Sequence, residues 1–246
     1  MCGMRRPLCR IRGILFDKDG TIVDYWKTWV PINREVALFA AGGDRNLAAE
    51  LLRAGGQDPD TDHVAPNSPL AAAGIDRIAA CFSQVLGERT PANLLAGMDD
   101  IFREGGAKYA VLLPGAEATL REMHRRGYRI GLATNDTEGG LKASLTRLNV
   151  LPLCDFVVAC DSGHGSKPEP GMALAFCAKM GLEPRQAAVV GDSAHDLEMA
   201  SRAGCGMRIA VLSGTGTHAV LAPPADIILD SVAILPTLPQ FASELG

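Results

Sequence analysis

The feature that most limits what this chain can fold into is a change of texture near Tyr109. Beyond it, short apolar runs alternate with stretches of helical spacing. Residues 128–134, 156–159, 187–190, 207–212 and 227–228 have the length and composition of buried strands. Between them, residues 114–126, 141–148, 170–180 and 197–203 have helical spacing, and 231–238 closes the chain. Strands separated by single helices predict a parallel sheet with right-handed crossovers. The apolar run 11–16 belongs with those strands, yet it is separated from them by an Ala-rich, all-helical stretch, 25–108. There, Trp26, Trp29, Val30, Ile32, Val36, Leu38 and Phe39 suit one amphipathic helix, and Leu47, Leu51 and Leu52 a second that stops near Gly55-Gly56. A polar loop over 57–69 precedes helices over 75–86 and 91–102, the last expected to end at Gly105-Gly106. The expectation is an α/β chain: a parallel-sheet core from 1–24 and 109–246, with helices on both faces and an all-α insertion over 25–108.

Composition excludes several functions. The 246 residues are 47% hydrophobic and 21% charged, with a net charge of −4. That permits a sizeable core and lacks the clustered basic excess of a nucleic-acid binder. Arg5, Arg6, Arg10 and Arg12 are expected to form a solvated terminus. Seven cysteines, an odd number without any CxxC pair, argue against zinc or a disulfide framework and for reduced thiols in the cytoplasm. No apolar run approaches the roughly 20 residues of a membrane span. Arg10 and Arg12 interrupt what would be a signal peptide's apolar stretch. Monomer and homodimer are both open.

Parallel sheets hold ligands at the carboxyl ends of their strands. The first run ends in Phe16-Asp17-Lys18-Asp19-Gly20-Thr21. Two carboxylates two residues apart can share one side of an extended segment, and Gly20 lets the backbone turn away. The same alternation is expected to point Lys18 away from both acids. The run 128–134 ends in Thr134-Asn135-Asp136, groups that suit an anionic oxygen or, equally, a helix cap. Beyond 156–159, Lys167 lies in Gly165-Ser166-Lys167-Pro168-Glu169-Pro170, a rigid setting for a fixed positive charge. After 187–190 comes Gly191-Asp192-Ser193-Ala194-His195-Asp196, with two further carboxylates. Converging acids repel one another unless a divalent cation offsets them, and an oxygen-only donor set suits Mg²⁺ rather than zinc. His195 is expected at the surface or behind the acids. Gly214-Thr215-Gly216 also follows a strand, but it stands too late in the chain for a dinucleotide loop and is set aside.

Taken in order, Asp17-Lys18-Asp19-Gly20-Thr21, Thr134-Asn135, Lys167-Pro168 and Gly191-Asp192-Ser193-Ala194-His195-Asp196 resemble the four motifs of the haloacid dehalogenase superfamily. The resemblance covers almost the whole chain. It implies a Rossmann-like core and, in 25–108, a C1-type helical cap that excludes water on closure and sets specificity. The ending Ala225-Asp226-Ile227-Ile228 is similar to phosphoglycolate phosphatase-like members. The implied activity is Mg²⁺-dependent hydrolysis of a small phosphorylated metabolite, phosphoglycolate first among candidates. Asp17 is implied as nucleophile and Asp19 as acid and base. The metal is implied to be held by the Asp17 carboxylate, the Asp19 carbonyl and Asp192, with Asp196 steadying them. Thr134 and the Asn135 N–H would bind phosphoryl oxygens, and Lys167 would offset charge. Asp19 argues against carbon–halogen cleavage, which needs no acid at that position. A β-phosphoglucomutase-like mutase would use the same core. A phospho-accepting signalling module carries similar groups in another strand order and lacks the insertion. Lys27 or Arg34, beside Trp26 and Trp29, would suit a substrate carboxylate, although helical spacing there favours a packing role.

Overall fold

The computed structural model describes residues 10–242; Cys2, Arg5, Arg6 and Cys9 lie outside the described residues. Six strands form one parallel sheet: β1 (Gly13–Asp17), β2 (Arg129–Ala133), β3 (Phe156–Val158), β4 (Ala187–Gly191), β5 (Met207–Val211) and β6 (Ile227–Leu229). Their order is β3-β2-β1-β4-β5-β6, a Rossmann-like, doubly wound arrangement. Strand β1, first in sequence, is flanked by β2 and β4 at the centre of the sheet. Alternation along the strands divides the core in two. Ile14, Phe16, Ile130, Leu132 and Val190 face one cluster, which also takes in Leu120, Met123, Leu141 and Leu145. Leu15, Val158 and Val189 face the other, with Met172, Phe176 and Met199. The helices supplying those side chains are α6 (Ala116–Arg125) and α7 (Glu138–Leu148) on the first face, and α8 (Gly171–Met180) and α9 (Ala194–Ala203) on the second; the short α10 (His218–Leu221) follows. Because both faces are covered, the strands are nearly continuous apolar runs.

Between β1 and α6 lie α1 (Tyr25–Ala40), α2 (Arg45–Gly55), the single-turn α3 (Pro69–Ala72), α4 (Ile75–Leu86) and α5 (Leu94–Tyr109). They enclose their own hydrophobic cluster, centred on Ile32, Val36, Leu51, Phe82 and Met98. Local chemistry sets the boundaries. Asp24 and Asp44 accept backbone N–H bonds at the starts of α1 and α2, and Gly56 ends α2 in the left-handed region with φ +95°. Helix α5 departs from expectation, running through Gly105-Gly106 to Tyr109. Gly105 is a close-contact residue, since a Cβ there would lie 2.6 Å from Ile32 Cγ1, whereas one on Gly106 would meet Ser144 Cβ of α7 at an ordinary contact distance of 3.5 Å. Packing against α1 and α7 outweighs the roughly 1 kcal/mol that glycine costs a helix interior.

The inserted block leaves and re-enters the sheet through adjoining strands of chain. Asp24 N donates to Val111 O at 2.8 Å, Leu113 N to Ile22 O at 2.9 Å, and Val23 bridges Leu112 in antiparallel fashion. Among the described residues, Cys81, Cys154, Cys160, Cys177 and Cys205 are free thiols. No helix there is long and apolar enough to cross a membrane.

Candidate active site

Register brings the strand ends together. Asp17 aligns with Ala133, which places Thr134 one residue beyond it; Phe16 aligns with Val190, which places Asp192 just past the end of β4. Asp17, Asp19, Thr134, Asn135, Lys167, Asp192 and Asp196 all line one cavity at this edge. The seven residues singled out from sequence therefore meet.

Lys167 Nζ donates to Asp17 Oδ1 at 2.5 Å and to Asp196 Oδ1 at 2.7 Å. Burial alone would lower the lysine's pKa, but the two carboxylates reverse this and raise it. Asp17 is 8% exposed, and its Oδ2 is buried with no hydrogen-bond partner. Burial raises its pKa well above the ordinary aspartate value; Lys167 opposes the shift, and Asp196, Asp192 and Asp19 add to it. Asp192 is pushed up to about 7, by burial first and then by Asp196, against the Thr215 N–H. Asp196 has both oxygens engaged: Oδ1 by Lys167, and Oδ2 by the Ser193 N–H at 3.1 Å and hydroxyl at 2.6 Å in a capping box that starts α9. Oxygens of Asp17, Asp192 and Asp196 lie within 4.8 Å of one another. Three crowded carboxylates, one with an orphaned buried oxygen, form a donor set suited to a hard divalent cation.

Lys18 does not point away. It is 1% exposed, and its Nζ lies 2.7 Å from Asp136 Oδ2 and 3.1 Å from Asp19 Oδ2, with Ser144 Oγ at 3.4 Å. The ammonium also lies 5.4 Å from the centroid of the Trp29 ring on α1. Alternation fails because β1 ends at Asp17 and the chain turns at once: Ile22 N and Val23 N both donate to Lys18 O. Burial disfavours the charged lysine, but Asp136 and Asp19 outweigh it and raise its pKa. Burial raises the Asp19 pKa in turn, while Lys18 and the facing Trp29 indole hold it down.

Thr134 Oγ1 accepts from the Asp136 N–H at 3.1 Å. The Asn135 side chain acts as a brace. Its Oδ1 accepts from Lys167 N at 2.8 Å, and its Nδ2 donates to Lys167 O at 3.2 Å and to Ala72 O at the end of α3 at 3.0 Å. The helical block thus touches the sheet edge across the site. His195 is half-buried in the cavity wall, with Nδ1 buried and unpartnered. Trp29 lines the cavity from the helical side. Arg34 is turned elsewhere, bonded to Asp62 Oδ1 and Pro59 O, and Lys27 pairs with Asp24.

The Gly214-Thr215-Gly216 segment, set aside from sequence, cradles Asp192. Thr215 N donates to Asp192 Oδ2 at 2.7 Å, and a Cβ on Gly214 would overlap that carboxylate. Gly20, with φ +86°, approaches beside Gly214; a Cβ there would lie 2.6 Å from the same oxygen and 2.8 Å from Gly214 Cα. The legible signal was a glycine-flanked hydroxyl residue after a strand. Its partner was not legible.

The model of the haloacid dehalogenase-like hydrolase family matches residues 11–204. A phosphoglycolate phosphatase of Yersinia pseudotuberculosis serotype I is 30% identical over 199 residues, covering 79% of this chain and 78% of that protein. A crystal structure described as a predicted phosphoglycolate phosphatase from Haemophilus somnus 129PT superposes with a TM-score of 0.71 at 20% identity, over 92% of this chain and 97% of that one. CbbY from Rhodobacter sphaeroides, solved in complex with phosphate, gives 0.66 at 24% identity, over 92% and 96%.

Proposed function

This chain belongs to the haloacid dehalogenase-like hydrolase family, and on that premise we propose that it is a Mg²⁺-dependent phosphatase of small phosphate monoesters. The observation that carries the reading is the cavity in which Asp17, Asp19, Thr134, Lys167 and Asp192 converge from separate strand ends. The relatives' names make phosphoglycolate the first substrate to assay.

Asp17 attacks phosphorus through a carboxylate oxygen, forming an aspartyl-phosphate as the alcohol leaves. Lys167, 2.5 Å from Asp17 Oδ1, compensates the nucleophile's charge and then that of the transferring group. Asp19 donates its proton to the departing alkoxide and recovers one from the water that attacks the acyl phosphate. Its raised pKa supports the proton-donor role. The Thr134 hydroxyl and Asn135 N–H supply donors for phosphoryl oxygens. Asp17 Oδ2, Asp192 and the Asp19 carbonyl would hold Mg²⁺, with Asp196 fixed behind them by Lys167 and Ser193. When bound, the cation neutralises converging negative charge and polarises the phosphoryl group. Residues 25–108 act as a cap over a core formed by 1–24 and 109–246, excluding water when closed.

Release of inorganic phosphate from p-nitrophenyl phosphate in Mg²⁺ tests the reading. The wild-type protein turns over, Asp17→Asn does not, and chelation abolishes turnover until Mg²⁺ is restored. Equal release by wild type and Asp17→Asn would remove the hydrolase assignment. Net transfer to water also separates this activity from a mutase's return of the phosphoryl group to sugar.

A further inference from the structure

We infer that the alcohol portion of the substrate is uncharged and apolar. The inference rests on the phosphatase reading above and specifies the leaving group for that same site. The cavity has two unlike ends. On the helical side its wall is Leu70, Ile75, Ile78 and Phe102, with the run Ala71-Ala72-Ala73, and Trp29 joins this wall to the Lys18–Asp19 pair. The Ala72–Asn135 bond holds this wall across the sheet edge, so these side chains face whatever occupies the space beyond the phosphate.

Beside them the Trp29 indole N–H is buried without a partner, a neutral donor that brings no charge, and two other polar groups are already committed. The Tyr25 hydroxyl donates to Leu70 O at 2.8 Å, and the Asn33 amide donates to Gln57 Oε1 at 2.9 Å. Among the described residues lining the cavity, the basic groups are Lys167 and His195. Lys167 is bound to Asp17 and Asp196. His195 stands in the first turn of α9 between Asp192 and Asp196, at the phosphate end. Arg34 and Lys27, the cations a carboxylate would otherwise find on α1, are paired away from the cavity.

Charge points the same way. Among the described residues around the reacting centre, the five carboxylates of Asp17, Asp19, Asp136, Asp192 and Asp196 face the ammonium groups of Lys18 and Lys167, with the His195 imidazole beside them. A divalent cation and the phosphate dianion would offset each other and leave carboxylate charge in excess. A second anion on the substrate would be desolvated against apolar walls without a partner, a costly placement. An alkyl or aryl group instead buries its surface there.

The test compares kcat/KM for benzyl phosphate and phosphoglycolate with the Mg²⁺-loaded full chain, using p-nitrophenyl phosphate as control. Both test compounds release primary alkoxides, so their ratio reads recognition of the alcohol portion. Benzyl phosphate is expected to lead by at least about tenfold, the low end of what one methylene is worth in an apolar pocket. In Ile75→Arg, which adds a guanidinium to the half-buried start of α4, the ratio should fall toward phosphoglycolate. A wild-type ratio below tenfold, or a ratio unmoved by Ile75→Arg, overturns the inference while leaving the phosphatase reading intact. Loss of the p-nitrophenyl phosphate reaction removes that reading, and the inference with it.

Discussion

Lys18 is the residue whose environment says most about how the site is held. Its ammonium sits between Asp19 and Asp136 with 1% of the side chain exposed. Removing one member of a buried charge cluster strands the rest, at about 3–5 kcal/mol. Lys18→Met should therefore lower unfolding stability by that order in urea titrations, and adding Asp136→Asn should recover part of it. Activity should not return in the double variant, because Asp19 loses its anchor; misplacing a reacting group costs roughly a hundredfold in kcat. Asp192 supplies a pH prediction. In the metal-free protein its carboxyl is pushed up to about 7, whereas an ordinary aspartate titrates near 3.8. The folded state keeps a proton that the unfolded chain releases, so this contribution is complete below about 3.8 and disappears as pH rises through about 7. The downward-shifted acids, Asp58, Asp226 and Glu122 (the last at about 2), lose their contribution only in the acid range. In chelator, the Tm should be higher at pH 6 than at pH 8. Mg²⁺ should raise it more at pH 8, where no proton competes. An equal Mg²⁺ shift at both values would contradict the Asp192 assignment.

At the scale of elements, strands and their chemistry were readable because period and composition act locally. The apolar run before Asp17, the strand before Thr134 and the strand before Asp192 each lie within a residue or two of expectation. What was not readable depends on neighbours distant in sequence. Lys18 follows no alternation because its strand has already ended, and Thr215 finds Asp192 only after the sheet has assembled. Gly105-Gly106 carried two meanings that sequence cannot separate, helix stop and close contact; the proximity of Ile32 decides it. Gly105→Leu should therefore destabilise by about 1–3 kcal/mol through overpacking, although leucine is the better helix former. Thermal unfolding of Gly105→Leu tests this. A gain in Tm would mean that α5 and α1 do not meet there as closely as described.

Across the whole molecule, one hydrogen-bonding side chain spans the site between the two cores. Asn135 ties the backbone of Lys167 to Ala72 of the helical block. Asn135→Ala should increase amide exchange around residues 70–74 while β1 and β4 stay protected, and should lower kcat/KM by about tenfold or more, as expected when a lid is poorly seated. Unchanged exchange would show that the block is held by its other contacts alone. The block's attachment has a different consequence. Its entry and exit are already hydrogen-bonded neighbours, Asp24 to Val111 and Leu113 to Ile22. The sheet's winding therefore makes no demand on the length or architecture of what is spliced between them. A short hairpin turn could close the same gap, and so could an unrelated domain, without rerouting a strand. Descent could exchange the recognising half of such a protein wholesale while leaving the half that breaks the bond untouched.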